Sequence, residues 1–192
     1  VSAISLWRKY NLKAPLRESA WGDEVKDGRV YAHVTYTGHT VADGSVRIYA
    51  RFGKPAGEGV HAAILLLPDA GETYDEALMN YFIDEGYAVL MPDYTGKMKS
   101  DANGVMRTIY PASLVYGNYE QAQGLYDLEG IEADKTTWFE WTYVALYAIE
   151  FLRSQEDIGN IGVVGVRTGG DIAWQVMLSP EIKCGVPINA VG

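Results

Sequence analysis

A chain of 192 residues that is 48% apolar and 21% charged has the make-up of one globular domain with a sizeable core, which excludes the disordered and fibrous classes. Sixteen Lys and Arg against twenty-five Asp and Glu give a net charge of −9, which repels phosphate backbones and anionic lipid, so neither nucleic acid nor a membrane is an expected partner. The longest aliphatic block, residues 62–67, is strand-sized and far shorter than a membrane span.

The chain opens at Val1 and reaches its first methionine at Met79. Its lone cysteine, Cys184, fits a cytosolic setting, while an opening without methionine keeps secretion after leader cleavage compatible with the sequence. Ile4, Leu6, Trp7 and Tyr10 mark an amphipathic start and predict a helical appendage over residues 1–20 of an otherwise single domain, 1–192. Residues 30–36 and 45–52 read as strands joined through Gly38 and the Asp43-Gly44 turn into an antiparallel pair. Residues 62–67 read as a strand covered on both faces, and Thr73-x-x-Glu76 supplies a capping box for a helix with the stripe Ala77, Leu78, Tyr81 and Phe82. Gly86 ends that helix before a second buried strand, 87–91.

Residues 95–135 form an irregular insertion with scattered Gly and Asn and the tyrosines Tyr110, Tyr116, Tyr119 and Tyr126, and so long an excursion is usually functional or packed. A second capping box, Thr137-x-x-Glu140, opens a helix with the stripe Trp138, Trp141, Ala145, Ala148, Ile149 and Leu152. Residues 161–164 form a strand, Gly165 to Gly170 turn into a helix ending near Pro180, and 183–188 form the last strand. Cys184 there is expected to act as a small core residue. The alternation predicts an α/β fold, a mostly parallel sheet with antiparallel N-terminal strands and helices on both faces.

The turn Gly165-Val166-Arg167-Thr168-Gly169-Gly170 admits three readings. A dinucleotide fingerprint needs glycine where Arg167 stands. A phosphate loop needs Lys-Ser/Thr where Asp171-Ile172 stand. A nucleophile elbow, GxSxG, needs small residues two before and two after its centre; Gly165 and Gly169 satisfy it, with Arg167 at the centre.

On these residues the chain resembles the α/β-hydrolases, above all the acetyl xylan esterase, cephalosporin deacetylase and dienelactone hydrolase-like branch. The resemblance rests on Ala62-Ala-Ile-Leu-Leu-Leu-Pro-Asp-Ala-Gly71, similar to the strand and oxyanion loop usually ending His-Gly-x-Gly, on Gly86-Tyr-Ala-Val-Leu-Met-Pro-Asp-Tyr-Thr-Gly96, and on the elbow. It implies an esterase-like fold that stops after the sixth family strand, because only 25 residues follow Arg167 in a chain of 192. It also implies oxyanion donors at Thr168 and at Ala70 or Gly71, and a loop-holding role for Asp93.

The chain departs from the family where chemistry needs it. Arginine stays protonated and offers donors only, so it cannot replace the nucleophile. His33, His39 and His61 all precede the elbow, whereas the family's base follows it. The expected function is therefore a degenerate, esterase-like domain without turnover that keeps its pocket region as a binding or scaffold surface. A carboxylesterase using residues not recognised in the sequence is the first alternative, and a structural assembly module the second. No catalytic residue, cofactor or metal is expected. Arg167 is expected to rise from the elbow as a polar plug paired with Asp69 or a bound anion, Gly165, Gly169 and Gly170 permit the close packing, and a small anionic or carbohydrate-ester ligand fits the pocket. Tyr94, Tyr110, Trp138 and Trp141 are conceivable sugar platforms, with core packing the plainer role for the two tryptophans. The last strand, protected only by Lys183, predicts a homo-oligomer or a covering segment at its edge.

Overall fold

The computed structural model describes residues 3–72, 74–97 and 106–191, with the side chains of Ala3 and Ile4 outside the description. In chain order it builds α1 (Ala3–Trp7), β1 (Ser19–Lys26), β2 (Arg29–Val41), β3 (Gly44–Pro55), β4 (His61–Leu67), α2 (Glu76–Asp84), β5 (Ala88–Pro92), α3 (Thr137–Ser154), β6 (Ile158–Val166), α4 (Thr168–Val176) and β7 (Ile182–Ile188). The strands make one sheet ordered β1-β2-β3-β5-β4-β6-β7. β1, β2, β3 and β5 pair antiparallel, and β5, β4, β6 and β7 pair parallel.

Burial explains the two layers. α3 is buried almost all round, and with α4 it covers one sheet face around Leu65, Leu67, Leu90 and Val163. α2 covers the other face, setting Met79 and Ile83 on Ile64, Leu66, Val89 and Val164. The N-terminal segment packs on the α3 side through Leu6, Trp7, Tyr10, Leu12 and Leu16. Its described helix is Ala3–Trp7, and residues 19–20 already belong to β1, so most of the predicted 1–20 helical appendage is turn and irregular chain packed on the core.

Several local expectations are corrected. The sheet has seven described strands against the six expected from sequence, because β1 gives no pattern: its side chains are exposed except for Trp21, and a bulge between Trp21 and Glu24 breaks any alternation. Thr73 lies outside the described residues; α2 is capped by Asp75, whose carboxylate accepts the Leu78 N–H at 2.9 Å. In α2 the buried positions are Met79 and Ile83, with Leu78 and Phe82 half-buried and Ala77 and Tyr81 exposed, a rotation of about one residue from the predicted stripe. Gly86, at φ +92°, ends α2 by donating to Ile83 O (2.9 Å) while Tyr87 donates to Phe82 O (3.0 Å).

Thr136, not Thr137, caps α3, its hydroxyl accepting the Phe139 N–H at 3.2 Å. Glu140 is thereby freed from the cap and faces His39. α4 ends at Val176, short of Pro180.

Cys184 is exposed, because β7 is an edge strand whose neighbour lies on one side only. The Ile188 carbonyl accepts the Arg167 N–H at 2.8 Å, so Ile188 turns its backbone toward β6, and by alternation Pro187 and Gly185 face the free edge. A proline there has no N–H to offer another strand, a second protective device beside Lys183. Among the described residues no helix is long and apolar enough to cross a membrane.

Candidate functional site

β6 delivers the chain to α4 through a single residue. Arg167 sits at φ 52°, ψ −115°, a conformation that L side chains avoid, and thereby reverses the chain sharply at the carboxyl ends of the parallel strands. The glycines around it are required by contact. A Cβ at Gly165 would lie 2.2 Å from Gly169 O, and one at Gly169 would lie 2.1 Å from Leu67 O and 2.5 Å from Pro68 O. Strain of this kind costs roughly 1–3 kcal/mol, and glycine would relieve most of it. Arg167→Gly is therefore expected to raise unfolding stability by roughly 1 kcal/mol, read as a higher urea midpoint at unchanged slope. A lower midpoint would show that the arginine side chain stabilises the turn.

Above the turn lies Asp69, on the loop leaving β4. Its Oδ1 accepts the Ala70 N–H at 2.8 Å, the Thr168 hydroxyl at 2.8 Å and the Thr168 N–H at 3.4 Å. Its Oδ2 lies 3.5 Å from Arg167 Nη1. Arg167 does rise from the elbow, but its side chain is 69% exposed against 24% for Asp69, so it is not a buried plug. An exposed ion pair contributes about 0–1 kcal/mol, whereas hydrogen bonds to a charged group contribute roughly 1.5–3 kcal/mol each. The carboxylate is held chiefly by Ala70 and Thr168. The two backbone N–H groups that the family resemblance nominates as oxyanion donors thus converge on one acceptor, and the acceptor is a side chain of the protein itself.

The loop is buttressed from below. Tyr94 is buried and donates its hydroxyl to Pro68 O at 2.5 Å. Burial above all, and then the charges of Asp69, Asp93 and Asp171, push the Tyr94 hydroxyl well above its ordinary value and keep it a neutral donor. Tyr110 donates to Tyr94 O at 2.5 Å. Asp93 accepts the Thr108 N–H at 2.9 Å and the Thr95 hydroxyl at 3.2 Å, tying the first part of the insertion to the end of β5.

A cleft of about 380 Å³ opens over this floor, lined by Asp69, Ala70, Gly71, Arg167 and Thr168 below and by Tyr119, Tyr126 and Trp138 among its walls. Trp141 reaches it too but is fully buried and donates its indole N–H to Gly117 O at 2.7 Å. Tyr94 and Tyr110 serve packing, leaving Trp138, half-buried, as the one of the four suggested aromatic platforms that offers a face to the cleft. Asp171, on α4, accepts the Val191 N–H at 2.8 Å and brings Asn189 to the rim. Tyr119, Tyr126 and Asn189 were not singled out as site residues from sequence. The first two stand in the irregular segment and Asn189 follows β7, and no spacing rule ties those positions to the elbow.

The histidines are committed elsewhere. His33 shares a hydrogen bond with Tyr49 (2.6 Å), and His39 places Nδ1 3.0 Å from both Glu140 oxygens. His61 begins β4, a strand of seven residues, and so stands roughly 20 Å from the elbow at the opposite end of the sheet. Among the described residues no group of three or more His, Cys, Asp or Glu is placed to hold a metal ion.

The same backbone occurs in solved esterases. Acetyl xylan esterase 1 from Thermoanaerobacterium sp. JW/SL YS485 superposes with a TM-score of 0.69 at 17% identity, over 96% of this chain and 56% of that one. The chain has the α/β-hydrolase fold. An acetyl xylan esterase from Paenibacillus sp. R4 gives a TM-score of 0.67 at 19% identity over 98% of this chain and 57% of the esterase. A cold-adapted esterase from an Arctic intertidal metagenomic library gives 0.53 at 15%, over 87% and 62%. The chain therefore spans a little over half the length of the two acetyl xylan esterases. No family model matches the sequence, and no curated protein does. Arg167 stands at the apex of the turn that joins β6 to α4.

Proposed function

We propose that this is a degenerate α/β-hydrolase domain, esterase-like in fold and without hydrolytic turnover, whose elbow cleft binds a small neutral carbohydrate ester. One observation carries the reading: the apex of the elbow bears a cationic donor, and the donors that would hold an acyl oxygen already hold Asp69. Acyl transfer needs an attacking lone pair, a base to take its proton and free donors for the developing oxyanion. Arg167 supplies no lone pair, and the three histidines are turned to other partners. The cleft suits a neutral ring: Trp138 and Tyr126 offer faces for stacking, and Asp171, Asn189 and Arg167 offer hydrogen bonds to hydroxyls. The ester class is taken from the neighbours, two of which are named acetyl xylan esterases.

The expected result with an aryl acetate is no hydrolysis above buffer, and none after Arg167→Ser, because a serine without a base leaves at most residual catalysis. Titration with an acetylated xylo-oligosaccharide is expected to change tryptophan fluorescence in the wild type and not in Trp138→Ala. Saturable hydrolysis that survives Arg167→Ala would overturn the loss of turnover. An unchanged fluorescence signal would overturn the ligand.

A further inference from the structure

We infer that Asp69 is the built-in occupant of a carboxylate site: its side chain stands where one oxygen of an external monocarboxylate would bind, and by covering those donors it closes this part of the cleft to small carboxylates. The inference rests on the reading of the cleft as a ligand site and not on the absence of turnover.

Four donors from two separate parts of the chain meet at this point. Ala70 belongs to the loop after β4, and Thr168 and Arg167 belong to the β6–α4 turn, 99 residues away. The Asp69–Ala70 bond is local and any turn aspartate could make it. The two bonds to Thr168 are not local, and they bring the carboxylate over the start of α4, at the floor of the cleft. An acceptor oxygen at this point satisfies a hydroxyl and two backbone N–H groups at once, and the second oxygen of the same group faces a guanidinium that stands 69% exposed and free to adjust. That arrangement matches a monocarboxylate: one oxygen on the cradle, one toward Arg167. With Asp69 in place, an incoming acetate finds the donors taken and a like charge beside them. With the side chain removed, the donors face the cleft with nothing to accept from them, and no covalent change is needed for a free carboxylate to take its place.

The test is an acetate titration followed by the backbone amide resonances of Ala70 and Thr168 in wild type, Asp69→Gly and Asp69→Asn, with sodium chloride at equal ionic strength as the control. In Asp69→Gly both amides are expected to shift and saturate at millimolar acetate, and adding Arg167→Ala is expected to weaken that binding by about threefold to fivefold, the worth of an exposed ion pair. In wild type and in Asp69→Asn, whose amide oxygen still covers the donors, the two amides are expected not to move. Asp69→Ala gives the same readout if Asp69→Gly does not fold. Silent amides in a folded Asp69→Gly or Asp69→Ala would overturn the inference, as would acetate binding by wild type or Asp69→Asn of similar strength. Hydrolysis of an aryl acetate by the wild type would overturn the proposed function and leave these amide shifts to be judged separately.

Discussion

Gly169→Ala is expected to destabilise the protein by roughly 3 kcal/mol or more, at the upper end of what overpacking does. The added Cβ would meet Leu67 O at 2.1 Å, Leu67 C at 2.6 Å and Pro68 O at 2.5 Å, all main-chain atoms. Those atoms cannot rotate away as the end of a flexible side chain can. Leu67 pairs with Gly165 in the sheet, and Pro68 O is fixed by the Tyr94 hydroxyl, so relief requires α4 to lift from β4. Urea unfolding checks the magnitude. A loss below 1 kcal/mol would show that the helix rides on the sheet more loosely than these distances allow. Gly71→Ala makes a control, since a Cβ at Gly71 has no neighbour within 4 Å.

His39→Ala is expected to cost about 1–3 kcal/mol at neutral pH, the usual consequence of leaving a buried polar group without its hydrogen-bond partner. Glu140 is fully buried in the first turn of α3, and His39, stacked on Tyr143 at 4.3 Å, reaches both its oxygens. Burial raises the Glu140 carboxyl above its ordinary value, and His39 pulls it partly back. A raised carboxyl binds its proton more tightly in the folded state than in the unfolded chain. Its contribution to stability is therefore fully present below the unfolded carboxylate value and is lost as pH rises through the folded one. Glu140→Gln, which keeps the shape and cannot ionise, should gain on the wild type as pH rises across that window and match it at lower pH. Stability curves for both proteins between pH 4 and 7 read the difference directly. A gap that narrows with rising pH would mean that the carboxylate, not the acid, is the form the fold prefers.

The parallel half of the sheet was legible because β4, β5 and β6 are covered on both faces and so read as aliphatic runs ending in Gly or Pro. β1 was not, since a strand that buries almost nothing leaves no hydrophobic pattern to find. The cap of α3 slipped by one residue because Thr136 and Thr137 stand side by side, and only the fold decides which hydroxyl turns inward. Thr137 is instead spent on the insertion, donating to Tyr116 O at 2.6 Å and accepting the Gln123 N–H at 2.8 Å. The elbow was visible as glycine spacing, and the exposure of Arg167 was not, because that depends on how much room the cleft leaves above the turn. Asp69 was visible only as a candidate partner for Arg167. That its carboxylate would lie on Thr168 instead follows from strand register, which the local sequence does not encode.

The pairing of β4 with β6 joins His61 to Ile158 and Leu67 to Gly165, across α2, β5, the insertion and α3. The β2–β3 hairpin, by contrast, closes over two residues. Local hairpins form in roughly 1–10 μs, while contacts of large sequence separation wait on the chain between them. In the order of folding, then, the antiparallel front of the sheet is expected to precede the elbow. Asp69 is then expected to leave its strand before Thr168 has arrived, so that the floor of the cleft is assembled only when the two paired strands farthest apart in the chain meet.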